Sequence, residues 1–196
     1  MTNARVLQIG GGLLLLAALI MGVTLGLERL FAPAPAQPAA ARAGGTPPPA
    51  VAHITATLFY VTPDGQALTG VRREVPLADG PVAQGRQILG SQTEPAPEGY
   101  LSAVPAGTTV RGFYLTPEGD AFVDLSADVA KGHPGGSGAE LLTVYTIVNA
   151  VTANLPAVRR VQILVDGKEV DTLAGHVDLR RPFDKDTSLV AAPATK

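Results

Sequence analysis

The sequence predicts an α+β fold, one small domain in which a twisted sheet carries two helices packed on one face, preceded by one transmembrane helix. Three observations predict it. Short β-branched runs are separated by proline–glycine turn signals, two stretches carry apolar residues at helical spacing, and the chain opens with 22 almost wholly apolar residues. The element order read from these is β-β-α-β-β-α-β-β, and a sheet with both helices on one face buries both apolar stripes.

The apolar run occupies residues 6–27, between Arg5 and the Glu28–Arg29 pair. At about 1.5 Å per residue it spans about 33 Å, enough to cross a ~30 Å hydrocarbon core with some tilt. Gln8 is its strongly polar interruption, close enough to the entry to reach the interface. Arg5 and the terminal amine favour a cytoplasmic 1–5 segment. The expected location is therefore the inner or cytoplasmic membrane, single-pass, with the C-terminal domain periplasmic or otherwise extracytoplasmic. A cleaved signal peptide, cut after Ala36, is the alternative. The run is longer than a usual signal core and charges separate it from that site. The domain is exported on either reading. Gly22 and Gly26 have the spacing that lets membrane helices approach, a pattern too generic to decide anything. With no cysteine in the chain, lipid attachment, disulfides and thiol chemistry are all excluded.

Residues 28–52 read as a linker: six prolines and nine alanines fall within 32–52. Such a segment has no apolar face to bury and favours extended polyproline conformation, reaching about 65 Å at ~3.1 Å per residue. It acts as a spacer between membrane and domain. The domain is assigned to 53–182 and a flexible tail to 183–196, in which no apolar period continues.

Within the domain, 53–61 (HITATLFYV) alternates as a strand and Pro63-Asp64-Gly65 closes it with turn chemistry. Residues 71–76 (VRREVP) form an edge-like second strand whose charges face solvent and blunt uncontrolled pairing. Residues 81–91 carry Val82, Arg86 and Leu89 at helical spacing behind a first-turn proline, with Gly85 weakening the helix. After the proline-rich loop 94–99 and the turn-rich 101–108, strands at 109–116 and 121–125 are joined by Pro117-Glu118-Gly119-Asp120. The segments FYVTPDGQAL (59–68) and FYLTPEGDAF (113–122) are alike while their flanks are not, which points to one turn solution used twice.

Ser137-Gly138-Ala139-Glu140 has the form of a capping box. It leads a helix over 141–154, stopped before Pro156, with an apolar stripe at Leu141, Val144, Val148, Val151 and Leu155. Propensity at Thr143, Val144, Thr146, Ile147 and Val148 argues for a strand, whereas cap, length and period argue for the helix. Residues 159–165 (RRVQILV) form an apolar strand, Asp166-Gly167 is a two-residue hairpin turn, and 168–173 returns.

The succession VRREVP, LSAVPAGT, FVDLS, then Glu140 leading VYTIVNAVTANLP and VQILVDG resembles the GerMN domain of sporulation and germination proteins. The resemblance covers 54–189, and 123–126, 143–156 and 161–167 carry it best. It implies a compact α+β module similar to the ring-building folds of secretion and sporulation assemblies. It implies no catalysis, and a role in assembling an envelope complex.

Chemistry is sparse. From His53 onward 12 Lys and Arg face 16 Asp and Glu with no basic stripe, so no nucleic-acid partner is expected. His176-Val177-Asp178 would put two metal-ligand types on one strand face, short of the three or four a structural site wants, and neither metal nor cofactor is expected. Asp124, Glu140 and Asp166 are imaginable as glycan-cleaving carboxylates, yet each has a structural use: strand end, helix cap and turn. Ser102 and Ser137 with His133 or His176 lack a nucleophile-elbow pattern. The glycine-rich 132–138 (GHPGGSG) lacks the phosphate-loop lysine.

The reading is therefore a non-enzymatic, membrane-anchored envelope protein acting through protein assembly or cell-wall-associated binding, with an envelope protein, a second copy or peptidoglycan as partner. A peptidoglycan-acting enzyme or glycan-binding module is the alternative. Arg159, Arg160, His176, Asp178, Arg180 and Arg181 form the candidate interaction surface.

Overall fold

A computed structural model describes residues 52–191. The apolar run at 6–27, the linker up to residue 51 and the last five residues lie outside them. Among the described residues no helix is long and apolar enough to cross a membrane.

Strand β1 (His53–Val61) turns back into β2 (Leu68–Pro76) with an unbroken antiparallel register from His53↔Pro76 to Val61↔Leu68. Helix α1 (Gly80–Thr93) follows, then β3 (Val110–Leu115) and β4 (Asp120–Leu125), a hairpin with a bulge between Val110 and Gly112. The turns entering β2 and β4 share one device. Gly65 and Gly119 donate their N–H groups to Thr62 O and Thr116 O at 2.8 and 3.1 Å, and take φ of 74° and 92°. The surroundings differ, since Tyr60 is fully buried and Tyr114 is 55% exposed. A short helix α2 (Asp128–Lys131), without a signal in the reading above, precedes α3 (Ser137–Asn154). Strand β5 (Arg160–Val165) pairs parallel with β4, the long crossover through α3 supplying the return that parallel strands need. The short β6 (Lys168–Glu169) and β7 (Phe183–Asp184) both pair antiparallel with β5.

The fold is mixed α+β, as expected, but its strands form two sheets. β1 and β2 stand as a two-stranded sheet, and β3-β4-β5 with β6 and β7 form the other. They do not merge because the free edge of β1 is hydrogen-bonded to helix side chains and to Leu101 rather than to a strand. Both long helices contact both sheets. Phe113, Ala121, Val123, Leu125, Val161 and Ile163 share one face of the larger sheet and are fully buried.

Three local expectations are corrected. Helix α3 begins at Ser137 behind Gly136, whose φ is 88°, and Ser137 caps nothing, so no capping box forms. Its buried set includes Leu142, Thr143, Val144, Thr146, Ile147 and Asn149, because sheets lie on two sides of it and a single stripe does not suffice. In α1 the buried positions are Gln84, Gly85, Ile88, Leu89 and Gln92, while Val82 is 41% exposed. A Cβ at Gly85 would lie 2.5 Å from the Phe113 ring, so glycine marks where helix and sheet close together.

The tail and the β6 return also differ. Residues 183–191 are held: β7 pairs with β5, Asn149 grips Asp186, and Leu68 bonds Leu189 and Ala191. β6 stops at Glu169 because the N–H groups of Leu173, Ala174 and His176 turn to Glu140 instead of a strand.

Candidate functional site

The buried polar side chains define what this domain can do chemically. Glu140, fully buried in the first turn of α3, accepts N–H bonds from Leu173 and Ala174 at 2.7 and 3.0 Å on Oε1, and from His176 at 2.9 Å on Oε2. Burial pushes its carboxyl up, but the N–H groups of Ala174, Leu173, His176 and Val177 together outweigh that and hold it below the ordinary glutamate range. Asp124, also buried, accepts the Gly167 N–H at 2.7 Å and the Arg111 Nε at 3.3 Å. Arg111 reaches Asp166 at 3.4 Å as well, and Asp166 accepts the Ala127 N–H. This ion-pair staple ties β3 to the β5–β6 turn, where Asp166 and Gly167 take φ of 50° and 75°, both positive as the two-residue hairpin turn requires.

Five carboxamides play a part that sequence reasoning missed. Gln84 in α1 accepts the Ala78 N–H at 2.9 Å and donates to Pro76 O at 3.1 Å. Asn154 at the end of α3 accepts the Thr57 N–H at 2.8 Å and donates to Thr57 O at 2.7 Å. Gln92 near the end of α1 does the same for Phe59 at 2.9 and 2.8 Å. Asn149 grips Asp186 in this double fashion, and Gln162 donates to Leu179 O. A side-chain amide presents a donor and an acceptor side by side, as a peptide group does, so it can complete a strand edge. No apolar period marks them: the helical amides stand off the stripes read from spacing, and Gln162 stands on strand β5.

The six candidate surface residues fall into separate settings. Arg160 forks onto Asp120 at 2.8 and 2.7 Å across the parallel β4–β5 pair, with Asp184 opposite it on β7. Arg159 leans its side chain on the Gly119 backbone. Asp178 and Arg180 pair with each other at 2.8 and 2.7 Å. The Arg180 side chain, with its backbone N–H, holds the Asp178 carboxyl well below the usual carboxylate range. His176 lies 3.4 Å from Glu140 in an irregular segment, so His176-Val177-Asp178 is not the strand face expected of it. Arg181 is exposed. Most of these charges are already met by a neighbour.

One cavity, about 470 Å³, is an open groove walled by Val61, Leu101, Val104, Pro105, Leu142 and Thr143. The glycine-rich 132–138 stretch forms part of its rim. There Gly135 N–H donates to His133 Nδ1 at 3.0 Å, and His133 Nε2 lies 3.1 Å from Thr143 Oγ1. The loop's donors serve the fold, and Ser102 donates to Val104 O. Among the described residues no three His, Asp or Glu converge as a metal site would require.

Two sheets bridged by helices, with buried carboxylates and amides spent on backbone groups, define a small α+β structural module. A family model described as Germane, sporulation and spore germination, matches residues 57–171, and the chain belongs to that family. The first GerMN domain of the sporulation protein GerM from Bacillus subtilis is similar at a TM-score of 0.50 and 20% identity, over 68% of this chain and 96% of that one. The tandem GerMN domains of the same protein give 0.53 and 17%, over 69% of this chain and 46% of that one, so this chain spans about half the tandem. A Clostridium perfringens chain described as a lipoprotein gives 0.48 and 25%, over 70% and 91%. No curated protein matches.

Proposed function

We propose that this protein is a non-enzymatic, membrane-anchored envelope component whose GerMN-type domain works outside the cytoplasm by binding another protein or the cell wall. The observation that carries the reading is the occupancy of Glu140 and Asp124. A general acid or base must offer its carboxyl to a substrate, and these two offer theirs to backbone N–H groups and Arg111. The apolar run at 6–27 and the linker at 28–52 support membrane attachment with a free-standing domain. Membership of the family supports an assembly role in sporulation or germination.

Incubating the full chain with purified cell-wall sacculi tests the claim. The expected result is no released muropeptide, together with in-cell crosslinking of the chain to an envelope protein. Muropeptide release that disappears in Asp124→Asn would replace the assembly reading with an enzymatic one.

A further inference from the structure

The two sheets leave several strand edges, and among the described residues the outer edge of β2 keeps the longest regular stretch without a bulge or a cap. That stretch lies between Leu68, tied to the tail, and Pro76, whose C=O accepts from Gln84 Nε2. The outer edge of β1 is completed by Asn154 at Thr57, Gln92 at Phe59 and Leu101 at Val61. β3 carries a bulge between Val110 and Gly112, a feature that twists an edge away from pairing. The far side of β5 is taken by β6 and β7. β2 is different: its register against β1 runs through nine pairs without a bulge.

Because Thr57, Phe59 and Val61 turn their N–H groups away from β2, the alternating ladder assigns the even residues of β2 to its outer edge. Leu68 confirms the parity, bonding Leu189 O at 2.7 Å and the Ala191 N–H at 2.8 Å on that side. Gly70, Arg72 and Glu74 turn the same way, and among the described residues their backbone groups have no partner. A regular row of unpaired backbone groups is a template for another strand.

We propose that the outer edge of β2 pairs antiparallel with β2 of a second copy of this chain, about a two-fold axis at Arg73. This rests on the assembly reading above and names its surface and partner. The charge pattern selects both. A register centred on Arg72 sets that residue against itself, and one centred on Glu74 sets two carboxylates together. The register centred on Arg73 places Arg72 opposite Glu74 of the other copy, twice, with two backbone bonds at each pair. On the other face of the ladder the two Arg73 side chains meet and oppose the contact. The edge is short, well below the ~1,200 Å² of a stable interface. Pairing is therefore weak between free molecules and grows when copies share one surface, where effective concentration is high. Of the registers that set these charged residues against one another, the one centred on Arg73 alone gains ion pairs.

The absence of cysteine makes the test clean. The full chain is placed in phosphatidylethanolamine–phosphatidylglycerol vesicles and, in parallel, in concentrated solution, then mildly oxidised. Arg73→Cys sets two thiols at a non-hydrogen-bonded pair with Cα atoms about 4.5 Å apart, within disulfide reach. Gln66→Cys, on the exposed hairpin turn, is the control. We expect at least about fivefold more dimer from Arg73→Cys than from the control, lowered to the Gln66→Cys level by adding Arg72→Glu or Glu74→Arg singly and restored by adding both. Equal yields from the two cysteines, or no recovery with both charges exchanged, overturn the proposal. Vesicle flotation reads the membrane attachment separately. A chain that fails to float but keeps the Arg73→Cys excess in solution loses its anchor reading and keeps its edge.

Discussion

At Glu140 a carboxylate fully excluded from solvent is offset by N–H donors from a segment 33 to 36 residues further along the chain. Its folded pKa lies below the unfolded value of about 4.3. Ionised Glu140 therefore contributes stability that is fully present above that value and is lost as pH falls through the lower, folded one. Glu140→Gln presents an amide NH₂ to donors that need an acceptor, so it should cost about 1–3 kcal/mol at pH 7. In denaturant titrations the gap from wild type should stay constant above about pH 5.5 and narrow below pH ~4.3. Tyr60 is the opposite case. Its hydroxyl is buried without a partner among the described residues, and burial pushes its pKa up. Tyr60→Phe removes an unpaid desolvation and should raise stability by about 1 kcal/mol, read as an increased Tm. The Asp166-Gly167 turn was legible because its partners are its neighbours. Glu140 was read as a cap because the segment it binds is distant, and local spacing carries no trace of it.

Element by element, the sequence signal held for the existence and type of the main strands and helices and failed for which helix residues are buried. β1, β4 and β5 alternate or run apolar as their faces demand, and both long helices lie where spacing and proline signals put them. The conflict between propensity and period in α3 has a physical source: a helix in contact with both sheets favours compact β-branched side chains on most of its faces. In α1 the polar Gln84 and Gln92 are buried, a choice that no apolar period reveals. Gly85 tests the helix–sheet contact. Alanine there gains up to about 1 kcal/mol of helix propensity, but its Cβ would meet the Phe113 ring at 2.5–2.9 Å. Overpacking of this kind costs about 1–3 kcal/mol, so Gly85→Ala should destabilise on balance. Adding Phe113→Leu should make the double change cost less than the sum of the singles, a coupling that a double-mutant cycle measures directly. The edge caps are tested by hydrogen exchange. Asn154→Ala should speed exchange at Thr57, and Gln92→Ala at Phe59, each leaving the other amide protected.

Across the whole domain, residues 183–191 close the structure rather than trail from it. β7 adds to β5 of the larger sheet, Phe183 packs edge-on against Tyr145 of α3, Asn149 grips Asp186, and Leu189 and Ala191 bond Leu68 of the smaller sheet. One short segment thus runs from one sheet, over the long helix, to the other. No apolar period marks it, because its contacts are single backbone bonds to distant partners. Removing residues 186–196 would leave Leu68 and Asn149 without these bonds. Each broken bond at a buried group costs about 1–3 kcal/mol, so the truncation should lower stability by at least about 3 kcal/mol. Asn149→Ala alone should reproduce only the part that belongs to Asp186. The two losses also differ in where they act. In the truncated chain, exchange should rise first at Leu68 and spread along β2, whereas in Asn149→Ala the Leu68 amide should stay protected as long as Leu189 remains seated. If both variants instead lose protection uniformly, the segment is not a clasp between sheets but one more layer of a single cooperative core. The truncation would also lengthen the open edge of β2 by freeing the backbone groups of Leu68, so its tendency to self-associate should increase even as its stability falls.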